Sequence, residues 1–266
     1  MGIIDFFVGH PVFTRHELVA FLRQRGATSP RTVASHLLRY LAAGRIGRVK
    51  RGVYFVAELG ETAARVPVDY LLVASRLAPD AVLAYHTALE AHGYAQSLFE
   101  HLYFLTVSKA KPLRFRGRHF VPVLPSAALR RKKQSFTLST EIERQGLLCR
   151  VTSVERTVVD VLDRPDLSGG VEEVWRSLTS IPLLDLDAVV RYVRLSGQAT
   201  LAAKVGYFLE QHRAALEVPN AVFSCLRLLR PRQPHYLDRR LGGKLAADWN
   251  LIVPAPIVGR EWEVVR

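Results

Sequence analysis

Between Leu18 and Ala57 the sequence has no Asp or Glu, yet it carries Arg23, Arg25, Arg31, Arg39, Arg45, Arg48, Lys50 and Arg51. The same window is patterned first for helices and then for strands. Just ahead of it, Thr14 and Glu17 have the spacing of a capping box, in which each side chain meets the other residue's backbone N–H. The helix that follows sets Leu18, Phe21 and Leu22 on one face and should stop at Gly26. Gly26-Ala27-Thr28 reads as a short turn. Ser29 is a second N-cap, and Pro30 falls where its missing N–H costs nothing. This second helix should run to Ala43 and end at Gly44. Arg45–Lys50 and Gly52–Val56 read as two strands about a turn at Arg51-Gly52. Two helices joined by a Gly-containing turn form a helix-turn-helix, and a hairpin behind it is a wing. Residues 1–57 are therefore predicted to be a winged-helix domain.

The second helix is two-faced. Val33, Leu37, Tyr40 and Leu41 form a stripe that should pack against the first helix. Thr32, Ser35, His36 and Arg39 form the opposite stripe, with Arg31 beside it. Short side chains at 32 and 35 let a helix approach the floor of a major groove. Arg39 or Arg31 can then reach a guanine edge or a phosphate. Arg48, Lys50 and Arg51 lie on the wing, where a basic tip suits the DNA backbone or minor groove. Six to eight such phosphate contacts would give log K against log[salt] a slope of about −5 to −7.

The remaining sequence reads as a second domain. Glu58–Pro67 is weakly patterned and taken as a linker, leaving 68–266 as a mixed α/β domain that ends in a helical region. Helices are expected at Val68–Ala78 and Ala81–His92, and strands at Leu102–Ser108, His119–Leu124 and Leu147–Thr152. Helices should follow over Ser153–Leu162, Gly170–Thr179, Leu186–Ser196, Thr200–Gln211 and Pro219–Leu229, with Asp185 as an N-cap. Arg230–Gly243 reads as loop and Trp249–Pro254 as a last strand. Lys109, Lys111, Arg114, Arg116 and Arg118 fill what reads as a loop, and Arg130, Arg131, Lys132 and Lys133 form a charge run. Both are either a second nucleic-acid surface or simply solvated charge. Phe115 alone is too little to argue base stacking.

Composition sets the class of partner. The formal net charge is +13, with 49% hydrophobic and 23% charged residues. A core is affordable, and the excess of cations points to a polyanionic partner, first of all nucleic acid. An acidic protein or a membrane surface is the other reading. Cys149 and Cys225 stand far apart and suit a reducing compartment. MGIIDFFVGH lacks a basic n-region and a small-residue cleavage site, so no signal peptide is expected. No stretch reaches about 18 uninterrupted apolar residues. A soluble, cytoplasmic protein is expected.

Enzymatic signals are sparse. His86 and His92 are six apart and not on one helix face, so no metal site is expected. His86 reads as a helix-start residue held by a hydrogen bond. Asp160, Asp163, Glu172 and Glu173 could mimic an acidic site, but Glu155 and Arg156 with Asp160 at i+4 read better as surface and intra-domain ion pairs. Gly169-Gly170 lacks a phosphate-loop frame, and Gly-x-Ser-x-Gly is absent. Neither a cofactor nor a catalytic residue is expected. Trp249 and Trp262 are read as core rather than as a ligand surface.

Five further segments carry a resemblance. His86-Thr-Ala-Leu-Glu-Ala-His-Gly93, Thr152-Ser-Val-Glu-Arg-Thr-Val-Val-Asp160, Asp166-Leu-Ser-Gly-Gly-Val-Glu-Glu173, Lys204-Val-Gly-Tyr-Phe-Leu-Glu210 and Trp249-Asn-Leu-Ile-Val-Pro254 follow in order behind the winged helix. Together they resemble AbiEi-type antitoxins, the regulators of type IV toxin–antitoxin (abortive-infection) systems. The resemblance implies a repressor that binds inverted repeats in its own promoter. It also implies a C-terminal domain that counters a nucleotidyltransferase-like toxin without a stable complex, and basic residues on that domain that help to grip DNA. It leaves Glu155, Arg156, Thr157 and Asp160 either structural or antitoxic. The alternatives are a module that sequesters a toxin directly, and a stand-alone winged-helix regulator.

Overall fold

The computed structural model describes residues 3–26, 29–57 and 63–259. The front of the chain forms α1 (Ile3–Gly9), β1 (Val12–Thr14), α2 (Arg15–Arg23), α3 (Pro30–Ala42), β2 (Ile46–Lys50) and β3 (Val53–Val56). The capping box at α2 is present in full, with Thr14 accepting from the Glu17 N–H at 3.1 Å. Ser29 caps α3 by accepting from the Arg31 N–H. The turn expected at Gly26-Ala27-Thr28 lies largely outside the described residues.

β2 and β3 pair antiparallel, and β1, a strand missed in the sequence, adds to β3 to give the order β1-β3-β2. A three-residue strand is too short to show a period. Alternation assigns its side chains to two cores. Phe13, Ile46 and Tyr54 join Phe6, Leu18, Leu22, Val33, Leu37 and Tyr40 under the helices. Val12, Val49, Val53 and Phe55 face the other way, into a cluster with Leu71, Leu72, Phe104 and Phe120. The front sheet is therefore covered on both sides, which is why Val53-Tyr-Phe-Val56 is apolar throughout.

The middle of the chain comprises α4 (Tyr70–Ser75), β4 (Val82–Leu83), α5 (His86–His92), β5 (His101–Leu105), β6 (Leu113–Phe115), β7 (Arg118–Val123), α6 (Ala127–Arg131), β8 (Ser139–Arg144) and β9 (Leu147–Thr152). Its six strands form one mixed sheet in the order β6-β7-β5-β4-β9-β8. Three expectations change here. The helix expected over Ala81–His92 is a strand followed by a shorter helix. Ala81–Ala84 is buried in the middle of the sheet, and a short apolar run has no period that distinguishes the two. The basic segment Lys109–Arg118 is not all loop, because β6 pairs antiparallel with β7 within it. β8, half-buried and polar on its outer face, was missed altogether.

The remaining elements are α7 (Val154–Asp163), α8 (Val171–Thr179), α9 (Leu186–Ser196), α10 (Ala199–Gln211), α11 (Asn220–Leu229), β10 (His235–Tyr236), β11 (Lys244–Ala246), β12 (Leu251–Val253) and α12 (Ala255–Gly259). Asp185 caps α9 as expected. The helices enclose a core around Trp175, Phe208 and Trp249. Trp249 is fully buried, as expected for a core residue, whereas Trp262 lies outside the described residues. The segment expected as loop contains β10, which pairs parallel with β12. The chain is thus a mixed α+β protein. Among the described residues no helix is long and apolar enough to cross a membrane.

Residues 58–62 of the expected linker lie outside the described residues, but its second half is packed. Val66 is buried, and Arg116 donates to the carbonyls of Ala63 and Val66.

Candidate nucleic-acid interface

α3 buries Val33, Leu37 and Tyr40 and turns Arg31, Ala34, Ser35, Leu38, Arg39 and Ala42 outward. Thr32 and His36 are half-buried at the flanks of that face. Leu38, at 65% exposure, is a central outward residue that the polar stripe overlooked. Its spacing of seven from Arg31 was the available signal. Arg39 lies over the Tyr40 ring and donates to the Tyr40 hydroxyl at 3.1 Å. That contact holds a cation at the C-terminal half of the exposed face.

The hairpin brings Arg48 and Arg51 to the surface. The Arg15 N–H donates to the Gly52 carbonyl at 2.7 Å, which ties the start of α2 to the hairpin turn. Exposed Arg15 therefore stands beside Arg51. It escaped the sequence reading because Glu17 cuts it off from the acid-free window. Arg15, Arg31, Arg39, Arg48 and Arg51 form no ion pair with a carboxylate among the described residues. Glu17, one of two acids in residues 1–57, is occupied by the capping box and by Arg76 at 2.9 Å.

Lys50 is placed differently. Its Nζ donates to the Leu77 carbonyl at 2.7 Å, across the seam to the turn after α4, and burial lowers its pKa. Its ammonium braces the hairpin against the rest of the protein. The second basic set also divides. Arg116 stacks on Phe55 and Phe115 as well as binding the two linker carbonyls. Arg118 donates to the Phe99 carbonyl and lies over Tyr70. These two hold the fold. Lys109, Lys111 and Arg114 remain exposed, on a segment anchored where Asp80 accepts from Thr106, Val107 and Ser108. Phe115, at the end of that segment, meets Phe55 of the hairpin with ring centroids 5.7 Å apart, which sets β6 against the hairpin. Arg130 and Arg131 are exposed on α6, and Arg130 donates to the Pro125 carbonyl.

The carboxylates do not form one acidic site. Asp160 is bonded to Arg156 at 3.0 Å and to the Tyr192 hydroxyl at 2.7 Å. Arg156 is 1% exposed, so of the surface and intra-domain pairings expected from the i+4 spacing this is a buried, intra-domain one. Its guanidinium also donates to the Thr137 carbonyl at 2.6 Å, and Thr157 meets Thr152 at 2.7 Å. Arg156, Thr157 and Asp160 thus lock α7 onto its surroundings, while Glu155 accepts from the Asp185 N–H. Asp163, raised in pKa by burial, lies apart on a small polar cavity with Lys204, Thr200 and His235. Glu173 accepts from Ser97 and Ser177, and Glu172 pairs with Arg176. His86 opens α5, as expected, but it is buried and neither ring nitrogen is hydrogen-bonded among the described residues, which corrects the hydrogen bond expected there. Its Nε2 stands 3.6 Å from Glu173 and its ring meets Phe99 edge-on. Among the described residues no group of three His, Cys, Asp or Glu is placed to hold a metal ion.

The fold has a solved counterpart. The crystal structure of the RV2827C protein from Mycobacterium tuberculosis matches over 98% of this chain and 93% of that one, with a TM-score of 0.60 and 16% identity. At that identity the likeness is one of fold. No protein-family model matches the chain, and no curated protein sequence is significantly similar to it.

Proposed function

We propose that the protein is a DNA-binding transcriptional repressor whose first 57 residues act as a winged helix, with α3 in the major groove and the β2–β3 hairpin on the flanking backbone. One observation carries this reading. The outward face of α3 and the hairpin tip hold Arg31, Arg39, Arg48 and Arg51 with no described carboxylate to balance them. Such a face repels itself unless a polyanion covers it. Ser35 and Leu38 between the arginines are short or apolar, which suits a base edge and a thymine methyl. Exposed Lys109, Lys111 and Arg114, next to the hairpin, extend the track along the backbone. Thr32 and His36 border the base-reading face, and Lys50 supports the wing rather than the duplex.

The second half of the reading is an antitoxin role in a type IV toxin–antitoxin system, with a nucleotidyltransferase-like partner that is not stably bound. The five ordered motifs support it. The burial of Arg156, Thr157 and Asp160 favours a structural part for that motif within the role.

Gel shifts on the duplex upstream of the coding sequence test the repressor reading. Arg39→Ala is expected to cost about 1–3 kcal/mol and to relax sequence preference, whereas Arg51→Ala weakens all sequences alike. Unchanged affinity in both variants would sink it. Co-expression with an adjacent nucleotidyltransferase-like reading frame tests the antitoxin half. A complex that survives size exclusion would favour direct sequestration instead.

A further inference from the structure

A cleft of about 1050 Å³ runs along the seam between the front sheet and the residues that follow it. Its front wall is built from α1, β1, the C-terminal end of α3 and β3. Its back wall is the stretch Val66–Leu71 together with Glu90 and Arg144. The volume is at the upper end of the range, roughly 300–1,000 Å³, in which drug-sized ligands are held. Phe7, Tyr40 and Tyr70 are among its lining residues, and Val68 stands on the back wall.

The charged groups in the cleft are not equivalent. Arg144 is held by Asp69, with both Nε and Nη2 on one carboxylate oxygen at 3.0 and 2.9 Å. That pair is mutually satisfied. Arg45 is exposed at the cleft and pairs with no carboxylate among the described residues. Glu90 is half-buried on the opposite wall, and no donor reaches its carboxylate among the described residues. Among the described residues the cleft therefore offers an apolar, aromatic-containing lining, one guanidinium without a carboxylate partner and one unfilled acceptor.

We propose that this seam is a binding site for a small aromatic acid: a ring system for Phe7, Tyr40 and Tyr70, an anionic group for Arg45 and a hydrogen-bond donor for Glu90. The site also bears on the proposed DNA face, and this part rests on the repressor reading. Tyr40 is a lining residue of the cleft and accepts from Arg39 through its hydroxyl. A ligand against Tyr40 therefore alters the support of a base-reading arginine. Binding free energies couple reciprocally, so an occupant that shifts DNA affinity is itself shifted by DNA to the same extent.

Anilinonaphthalene sulfonate has the required chemistry, with two ring systems, one sulfonate and one N–H, and its fluorescence reports burial. The full chain is titrated with it in the absence of DNA. One saturable equivalent is expected. Val68→Trp, which fills the cleft, and Arg45→Ala, which removes the anion partner, should each weaken binding about tenfold or more. Arg45→Lys should restore most of it, and thermal unfolding of each variant checks that the fold persists. Binding indifferent to Val68→Trp and Arg45→Ala, or many non-saturating equivalents, would overturn the site. So would a dimer that Val68→Trp dissociates, since the cleft would then be an interface between copies. A second arm repeats the gel shift with the dye at saturation. A change in affinity for the upstream duplex supports the coupling, and no change removes it while leaving the site standing. A chain that takes up the dye but shifts no duplex even without it refutes the repressor reading and not the cleft.

Discussion

The Arg156 guanidinium on α7 is buried, and its partners come from three directions: Asp160, the Thr137 carbonyl and the Tyr192 ring. Asp160→Ala leaves that charge uncompensated, and a loss of about 3–5 kcal/mol in unfolding free energy is expected from denaturant titration. The exposed pair Arg164–Asp166 is the control. Its removal should cost no more than about 1 kcal/mol. His86 yields a pH dependence. Burial holds its pKa below the ordinary histidine value, with Glu173 opposing the shift. The folded protein thus keeps His86 neutral where the unfolded chain protonates it. The stability this contributes is complete above about pH 6.5 and is lost as pH falls towards the folded value. Melting temperature should drop between about pH 7 and 5, and His86→Phe should flatten that drop. A variant with the same slope as the wild type would assign the effect to other groups.

Among the elements, α3 was the most readable from its residues. Ser29, Pro30 and the apolar stripe of Val33, Leu37 and Tyr40 set its start and its buried face through local rules alone. Its exposed face makes a separable prediction. Leu38→Glu places a carboxylate among Arg31, Ser35 and Arg39 at a position 65% open to solvent. The melting temperature should be nearly unchanged, while duplex affinity falls about tenfold or more. A variant that melts early would show Leu38 to be packed rather than displayed. β4 is the opposite case. Ala81–Ala84 is apolar at every position because a sheet and helices cover both sides of it, and a run of that length carries neither a helical nor a strand period. β1 and β10 were too short to announce themselves, and each is held by a partner distant in sequence.

At the scale of the molecule, the seam decides how the front of the chain behaves. Val12, Val49, Val53 and Phe55 are buried only because α4 and the six-stranded sheet cover them. Lys50 and Arg76 bridge the same boundary through Leu77 and Glu17. A fragment ending at Ala57 exposes that apolar sheet face. It should unfold with little cooperativity or associate, as followed by thermal melting and light scattering. A sharp monomeric transition in the fragment would refute the dependence. The same geometry divides the expected salt dependence of DNA binding. With Lys50 engaged at the seam, Arg15, Arg31, Arg39, Arg48 and Arg51 remain on the front face and contribute about −4.5 to the slope of log K against log[salt]. Lys109, Lys111 and Arg114 steepen it by about 2–3 in the intact protein, and replacing the three together with alanine should return the slope to about −4.5.

The residues by themselves determined what depends on neighbours in the chain: the caps at Thr14 and Ser29, the two-faced α3, the turn at Gly52, the helical run from Val154 to Leu229 and the absence of acid from Leu18 to Ala57. These follow from backbone sterics, short-range hydrogen bonds and charge, all of which act within a few positions. Only the tertiary structure decided which cations are free and which are braces, because that depends on contacts between segments 19 to 50 residues apart. Lys50 turns to Leu77, Arg116 to Val66 and Arg118 to Phe99, while Arg48, Arg51 and Lys109 stay in water. A lysine or arginine carries the same charge in either place. Whether it meets a carbonyl or solvent is set by where the folded chain comes back upon itself.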